Sequence, residues 1–268
     1  MSEKIGVAGR IRREPPSFRR VAVRSNVALT PHMRRVTLSG ADLAGMVIDQ
    51  PAASVRLLLP SPGTDELVIP TWNGNEFLLP DGARPALRTF TPRRFDPTTL
   101  ELDLDIVIHH SGIATDWAQR AVTGMPAAIS GPARGYAVDE RCRSFVLLGD
   151  EPAIPAMAQL LEVIDHHAQV IVHVELTRPD ARPDLPDHRG ATIIFHEVPA
   201  TGRHGERLVD ALAAMSISPE TKIWAAGEAA AVQRIRTLLF TERGVPRTQA
   251  TVRGYWKHGH GGDESDEN

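Results

Sequence analysis

Cysteine is almost absent: Cys142 is the single one in 268 residues. An internal disulfide framework and any metal cluster built on several thiolates are thereby excluded. No apolar run approaches the ~18–20 residues that span a bilayer. The opening MSEKIGVAGRIRREPP lacks the apolar stretch of a secretory signal, so the expected location is the cytoplasm. Neither sign of charge is in large surplus. A net charge of −3 argues against a nucleic-acid binder driven by bulk electrostatics. Four catalytic or phosphate-binding signatures are also missing: the Walker loop, G-x-G-x-x-G, H-E-x-x-H and G-x-S-x-G.

What is present is the composition of a folded chain, 42% hydrophobic and 24% charged. At roughly 100–200 residues per domain, the length predicts one large domain or two ordinary ones. Charge is uneven. Lys4, Arg10, Arg12, Arg13, Arg19 and Arg20 crowd the start and read as a solvated terminus or an anion-facing rim. The acidic, glycine-led GGDESDEN at the end reads as a frayed tail. Histidines come as His109–His110, His166–His167 and His258-x-His260. Neighbours on a strand point to opposite faces, so these pairs predict no metal site.

The first half reads as strands. VAVRSNVAL, MRRVTLSG and SVRLLLP are β-branched runs separated by Pro, Gly, Asn and Asp. In ELDLDIVIHH (101–110), Glu101, Asp103 and Asp105 share one face, while Leu102, Leu104, Ile106 and Ile108 share the other. That period of two marks a half-buried strand. About six such strands predict a closed or nearly closed Greek-key barrel over residues 1–140. The second half, 141–268, changes rhythm. RSFVLLG, AQVIVHVEL, ATIIFHEV and TKIWAAG are buried parallel-strand runs. DEPAIPAMAQLLEVIDHH, HGERLVDALAAM and EAAAVQRIRTLLFTERG read as helices, with Pro152 and Pro155 confined to a first turn. The alternation predicts a doubly wound parallel sheet that binds ligands at the carboxyl ends of its strands. RPDARPDLPDHRG (178–190) reads as a surface loop, and the boundary falls in VDERCRS, 138–144.

Two segments carry chemistry. Arg88-Thr89-Phe90-Thr91-Pro92-Arg93 sets Arg and Phe on one strand face and two threonines on the other. An arginine fork suits a phosphate, an aromatic ring stacks on a flat heterocycle, and a hydroxyl can bond a ring edge. An ordinary barrel strand has the same alternation. After the strand ending at His109, Ala114, Thr115 and Asp116 open a helix, whose free amides and dipole favour an anion. Asp116 opposes that unless its carboxylate caps the helix or faces away.

The motifs occur in a specific order. RTFTPRRF resembles the R-x-Y-T-x-R-x-F flavin motif of the siderophore-interacting proteins, which are flavin-dependent ferric-siderophore reductases in the ferredoxin-reductase-like superfamily. IVIHHSGIATDWA, ISGPARG, LLGDEPAIPAM, WAAGEAAAVQRIR and GYWKHG resemble that family's further motifs, in order, from about residue 15 to 260. The resemblance implies a flavin-binding barrel carrying FAD and an α/β domain for NADH or NADPH. It implies that Arg88, Thr89, Phe90 and Thr91 hold the flavin, with His109, Ala114, Thr115 and Trp117 around its diphosphate and ribityl chain and Trp256 beside its ring. Gly149, Asp150, Glu151, Gly227, Glu228 and Tyr255 would meet the nicotinamide nucleotide. Lys257, Arg134 and Arg93, with Arg56 a weaker candidate, would dock an anionic ferric siderophore. Two departures from the motifs stand out. Phe90 replaces tyrosine, losing a hydroxyl. Pro152 replaces threonine, removing a hydroxyl and an amide donor from the nucleotide site. The expected assembly is a monomer without nucleic acid or membrane insertion. The competing readings are a siderophore- or flavin-binding protein without turnover, and a flavin reductase with a different acceptor.

Overall fold

The computed structural model describes residues 15–109, 112–198 and 202–259. Lys4, Arg10, Arg12, Arg13, His110, His260 and the acidic tail lie outside them. The first half contains β1 (Phe18–Thr30), β2 (Met33–Ser39), β3 (Ser54–Leu59) and the short β4 (Thr71–Trp72) and β5 (Phe77–Leu78). It continues with β6 (Ala86–Phe90), β7 (Pro92–Asp96), β8 (Glu101–Val107), helix α1 (Ile113–Arg120) and β9 (Pro126–Ala133). Seven of these strands form one antiparallel sheet in the order β6-β3-β9-β1-β2-β8-β7. The two outermost strands, β6 and β7, are joined by Thr91 alone, so the sheet must curl round until its edges meet. That is the nearly closed barrel expected.

Its interior is filled by the apolar alternations: Val36 and Leu38 of β2, Leu57 of β3, Leu102, Leu104 and Ile106 of β8, and Ile129 of β9. Removing each such side chain from water stabilises by about 1.5–3 kcal/mol. On the outer face of β8, Asp105 is not solvated as the alternation suggested. Arg35, its cross-strand neighbour on β2, grips it at 2.7 and 2.8 Å, and Thr37 donates to Asp103 at 2.7 Å. The carboxylate in turn keeps the Arg35 guanidinium charged, raising its pKa. Charged cross-strand pairs cover the face that water would otherwise solvate.

The second half contains β10 (Ser144–Asp150), α2 (Ile154–Val163), β11 (Gln169–Leu176), β12 (Ala191–Glu197), α3 (Glu206–Ala214), β13 (Lys222–Glu228), α4 (Ala229–Arg236) and β14 (Ala250–Trp256). These strands form a parallel sheet in the order β12-β11-β10-β13-β14. α2 packs on one face, over Phe145, Leu147 and Trp224. Leu208 and Leu212 of α3 and Val232 and Ile235 of α4 cover Val146, Leu148 and Ile223 on the other. β14 is the element that sequence patterning does not announce, because Arg253 and Gly254 interrupt its apolar residues. α4 runs into a wider-wound turn at Thr237–Glu242 and does not continue as one regular helix. In the 178–190 loop, Ala181 and His188 are buried, although the segment has few regular bonds.

The two halves are bonded together. Arg93 of β7 forks onto Glu162 of α2 at 3.0 and 2.5 Å. Gln159 of α2 donates to the Pro92 carbonyl at 2.7 Å and accepts from the Ala52 amide at 2.9 Å. Arg253 of β14 donates to the carbonyls of Ala52 and Gly135, at 3.4 and 3.2 Å. The carboxyl edge of the parallel sheet is therefore held against the open end of the barrel. No helix among the described residues is long and apolar enough to cross a membrane.

Candidate functional site

β6 pairs with β3 so that Arg88 lies opposite Leu57 and Phe90 opposite Val55. Cross-strand partners share a face, so Arg88 and Phe90 both turn the way of the barrel interior, where Phe90 packs on the core. Thr89 turns outward with Arg56. Burial without a counter-charge lowers the Arg56 pKa. Arg88 donates to its neighbour's carbonyl, Leu87, at 2.8 Å. Thr91 is buried at the joint between β6 and β7, with its hydroxyl near the Tyr255 phenol.

After β8, the chain brings His109 over the start of α1. A side chain at Gly112, whose φ is 150°, would place its Cβ 2.9 Å from His109 Cε1, so only glycine fits this approach. The first amides of α1 have no intrahelical partner. Thr115, in that first turn, is buried, and its hydroxyl has no partner among the described residues. Asp116 is exposed, makes no cap and leaves the helix end open to an anion. Ala114 packs on the barrel core. Trp117 does so too, only 2% exposed, and supports α1 from beneath. A cleft of about 500 Å³ adjoins α1, between it and the 60–65 loop, lined by Asp65, Asp116, Trp117 and Arg120 among others. An orphaned hydroxyl beside open helix amides, on the same barrel as the inward-facing Arg88 and Phe90, fits a flavin dinucleotide.

At the facing carboxyl edge, Gly149 lets α2 approach closely, since a Cβ there would lie 2.7 Å from Ala153 Cβ. Asp150 is buried in the angle between β10, β13 and β14. Its Oδ2 accepts from the Trp256 indole at 2.7 Å and from the Glu228 amide at 2.8 Å. Desolvation pushes its pKa up to about 7; the two donors oppose the rise, and Glu175 and Glu151 add to it. Glu151 is tied to Thr177, accepting from its amide and hydroxyl at 2.7 and 2.8 Å. Glu228 caps α4 through the Ala231 amide at 2.8 Å. Pro152 sits in the short turn Glu151–Ala153 ahead of α2, where it brings no amide hydrogen.

Tyr255 and Trp256 face different neighbours at the end of β14. Burial raises the Tyr255 pKa, and the nearby Thr91 hydroxyl opposes the rise. Trp256 donates to Asp150 at 2.7 Å and packs edge-on against His204 at 5.1 Å. The cause is a β-bulge. Gly254 pairs with Gly227 and Trp256 with Glu228, leaving Tyr255 as the extra residue. His204 and Glu175 complete this edge and were not foreseen. They come from a loop and a strand with no motif, and only the fold brings them in. Among the docking candidates, the Arg93 guanidinium is committed to Glu162, so it braces the two halves. Arg134 and Lys257 are exposed, at the ends of β9 and β14.

A flavin-type barrel set against the carboxyl edge of a parallel sheet defines the ferredoxin-reductase-like class. A ferredoxin reductase of carbazole 1,9a-dioxygenase shares that fold, with a TM-score of 0.66 over 91% of this chain and 70% of that one, at 18% identity. Residues 22–136 match the siderophore-interacting FAD-binding domain, and residues 142–259 match the siderophore-interacting protein model. The chain belongs to the siderophore-interacting protein family. It is 32% identical to an uncharacterized protein of Mycobacterium tuberculosis, covering 86% of this chain and 87% of that one. It is 30% identical to the NADPH-dependent ferric-chelate reductase of Escherichia coli, over 89% and 92%. The ferric vibriobactin reductase of Vibrio cholerae is 26% identical, over 86% of both. A siderophore utilization protein from T. fusca superposes with a TM-score of 0.81 at 33% identity, over 92% and 95%.

Proposed function

We propose that the chain is an FAD-dependent ferric-siderophore reductase that takes its electrons from NADH or NADPH and acts in the cytoplasm as a monomer. The observation that carries this reading is the set of bonds that holds the carboxyl edge of the parallel sheet against the barrel beside Arg88–Thr91: Gln159 donates to the Pro92 carbonyl at 2.7 Å and Arg93 pairs with Glu162 at 2.5 Å. The names of the Vibrio and Escherichia relatives support the substrate class. When bound, FAD supplies the conversion of a two-electron hydride donor into single electrons for iron.

The protein's own part is binding and exclusion. Arg88 and the open amides of α1 take the diphosphate, with Thr115 supplying a hydroxyl. The cleft beside α1 has room for the adenosine end. Phe90 offers a ring face, while Thr91 and Tyr255 offer hydroxyls at the ring edge. Gly149 and Gly227 keep the carboxyl edge of the sheet clear for the nucleotide, beside Asp150, Glu151 and Glu228. Lys257 and Arg134 give the rim positive charge for an anionic chelate. The iron needs no protein ligand: hard oxygen donors hold iron(III) more tightly than iron(II), so reduction loosens the chelate.

Pro152 favours one rival, a flavin- or siderophore-binding protein without turnover, because the turn before α2 lacks an amide where an anion would sit. Anaerobic bleaching separates the two. The yellow protein should bleach with NADH or NADPH and regain its colour on adding a ferric chelate, with iron(II) trapped by an indicator. Yellow protein that neither nucleotide bleaches defeats the reductase reading. If bleached protein reoxidises with other acceptors but not with ferric chelates, it is a flavin reductase of another kind.

Docking has its own test. The overall charge of −3 repels an anion, so attraction must be local. Lys257→Glu is expected to raise KM for an anionic chelate several-fold and leave bleaching by the nucleotide nearly unchanged. Salt should narrow the difference, since screening acts over ~8–10 Å. Unchanged preference between anionic and neutral chelates would move the docking site elsewhere.

A further inference from the structure

We propose that Asp150 is a positioning residue that sets the flavin-side Tyr255 by clamping its neighbour Trp256. This rests on the FAD reading above, and on neither the nucleotide nor the chelate. The end of β14 is held from two sides. On one, Tyr255 packs edge-on against Trp224 at 6.3 Å, with the Thr91 hydroxyl near its phenol. On the other, Asp150 Oδ2 accepts from Trp256 Nε1 at 2.7 Å and from the Glu228 amide at 2.8 Å. Tyr255 is the unpaired residue of the bulge, so no ladder bond of its own fixes it there. The contacts of Trp256 must then hold it in place. Gly227 shows how tightly the clamp is built, since a Cβ at that residue would lie 2.7 Å from Asp150 Oδ2.

The clamp has an unsatisfied side. Asp150 Oδ1 is buried and has no partner among the described residues. A carboxylate would leave that oxygen's charge uncompensated, whereas a protonated carboxyl would leave a hydroxyl there. The surrounding groups are mostly acidic: Glu151 on the following turn, Glu175 on β11 and Glu228 at the head of α4. His204 packs on Trp256 from the loop before α3, His258 follows β14, and Arg234 of α4 faces Glu175. The Asp150 pKa of about 7 therefore places the change of state near neutrality. Above it, the carboxylate is the stronger acceptor and the clamp on Trp256 tightens. Below it, the neutral group accepts more weakly and the clamp loosens.

Two measurements test this. In the first, FAD-free protein is titrated with FAD by fluorescence quenching. Asp150→Leu and Trp256→Phe should each bind FAD several-fold more weakly than wild type, and the double variant no more weakly than either, because both break one contact. Asp150→Asn, which keeps a neutral accepting oxygen, should bind FAD with an affinity between those of wild type and Asp150→Leu. Wild-type affinity in folded Asp150→Leu, or additive losses in the double variant, overturns the coupling. The second uses protein without FAD, so it stands even if the FAD reading fails. Tryptophan emission followed through neutral pH should show a transition in wild type, Glu175→Gln and His204→Asn. It should vanish in Asp150→Asn and Trp256→Phe. A transition that persists in Asp150→Asn, or is missing from wild type, overturns the assignment of the titrating group. Asp150→Asn also serves as the folded variant should Asp150→Leu fail to fold.

Discussion

Arg88→Ala protein is expected to fold normally and to purify without flavin colour. Arg88 shares the inward face of β6 with Phe90, and its guanidinium is the strand's cation on that face. A charge-assisted hydrogen bond to a phosphate contributes about 1.5–3 kcal/mol, which is roughly a ten- to hundredfold loss of FAD affinity. Little stability should go with it, since the side chain is only half buried. Absorbance of the purified variant, its titration with FAD and its thermal melt together check this. A folded variant with full flavin content would remove Arg88 from the flavin site.

Gly227→Ala is expected to damage the other domain. Gly227 has a φ of 153°, in a region that side-chain-bearing residues rarely enter, and an added Cβ would lie 2.7 Å from Asp150 Oδ2 and 2.8 Å from its Cγ. The backbone strain alone costs about 1–3 kcal/mol. At about 2–4 °C per kcal/mol for a chain of this order, the melting temperature should drop by several degrees. The carboxylate must also leave its two donors, which disturbs Trp256 and the edge where the nucleotide would bind. Nucleotide affinity should therefore fall about tenfold, roughly what the loss of one hydrogen bond costs. Wild-type melting together with wild-type nucleotide binding would show that this edge has more room than the geometry allows.

Much of the architecture was legible along the chain because it depends on local patterning. Period-two alternation marked β8, and short β-branched runs marked the barrel. Continuous apolar runs, all but β11 followed by a helical segment, marked β10, β11, β12 and β13. The helix that opens at Ala114, Thr115 and Asp116 was readable because a helix start leaves its marks within a few residues. Arg88 and Phe90 sharing a face follows from strand geometry alone.

What only the tertiary structure decided lies in contacts between residues far apart in sequence. β14 is an edge strand carrying Arg253 and Gly254, and its partner β13 recruits it despite that composition. Strand alternation cannot foretell a bulge, and one extra residue at Tyr255 turns it to the barrel and leaves Trp256 to Asp150, 106 positions away. Arg93 reads as a docking cation along the chain, and only the fold brings Glu162 of α2 to 2.5 Å from it. Asp150 read as one acidic residue among several. Its burial among Glu151, Glu175 and Glu228 exists only once four strands converge, and that convergence raises its pKa to about 7. Residue types and local periods are properties of the chain, whereas desolvation and charge proximity are properties of the packed molecule.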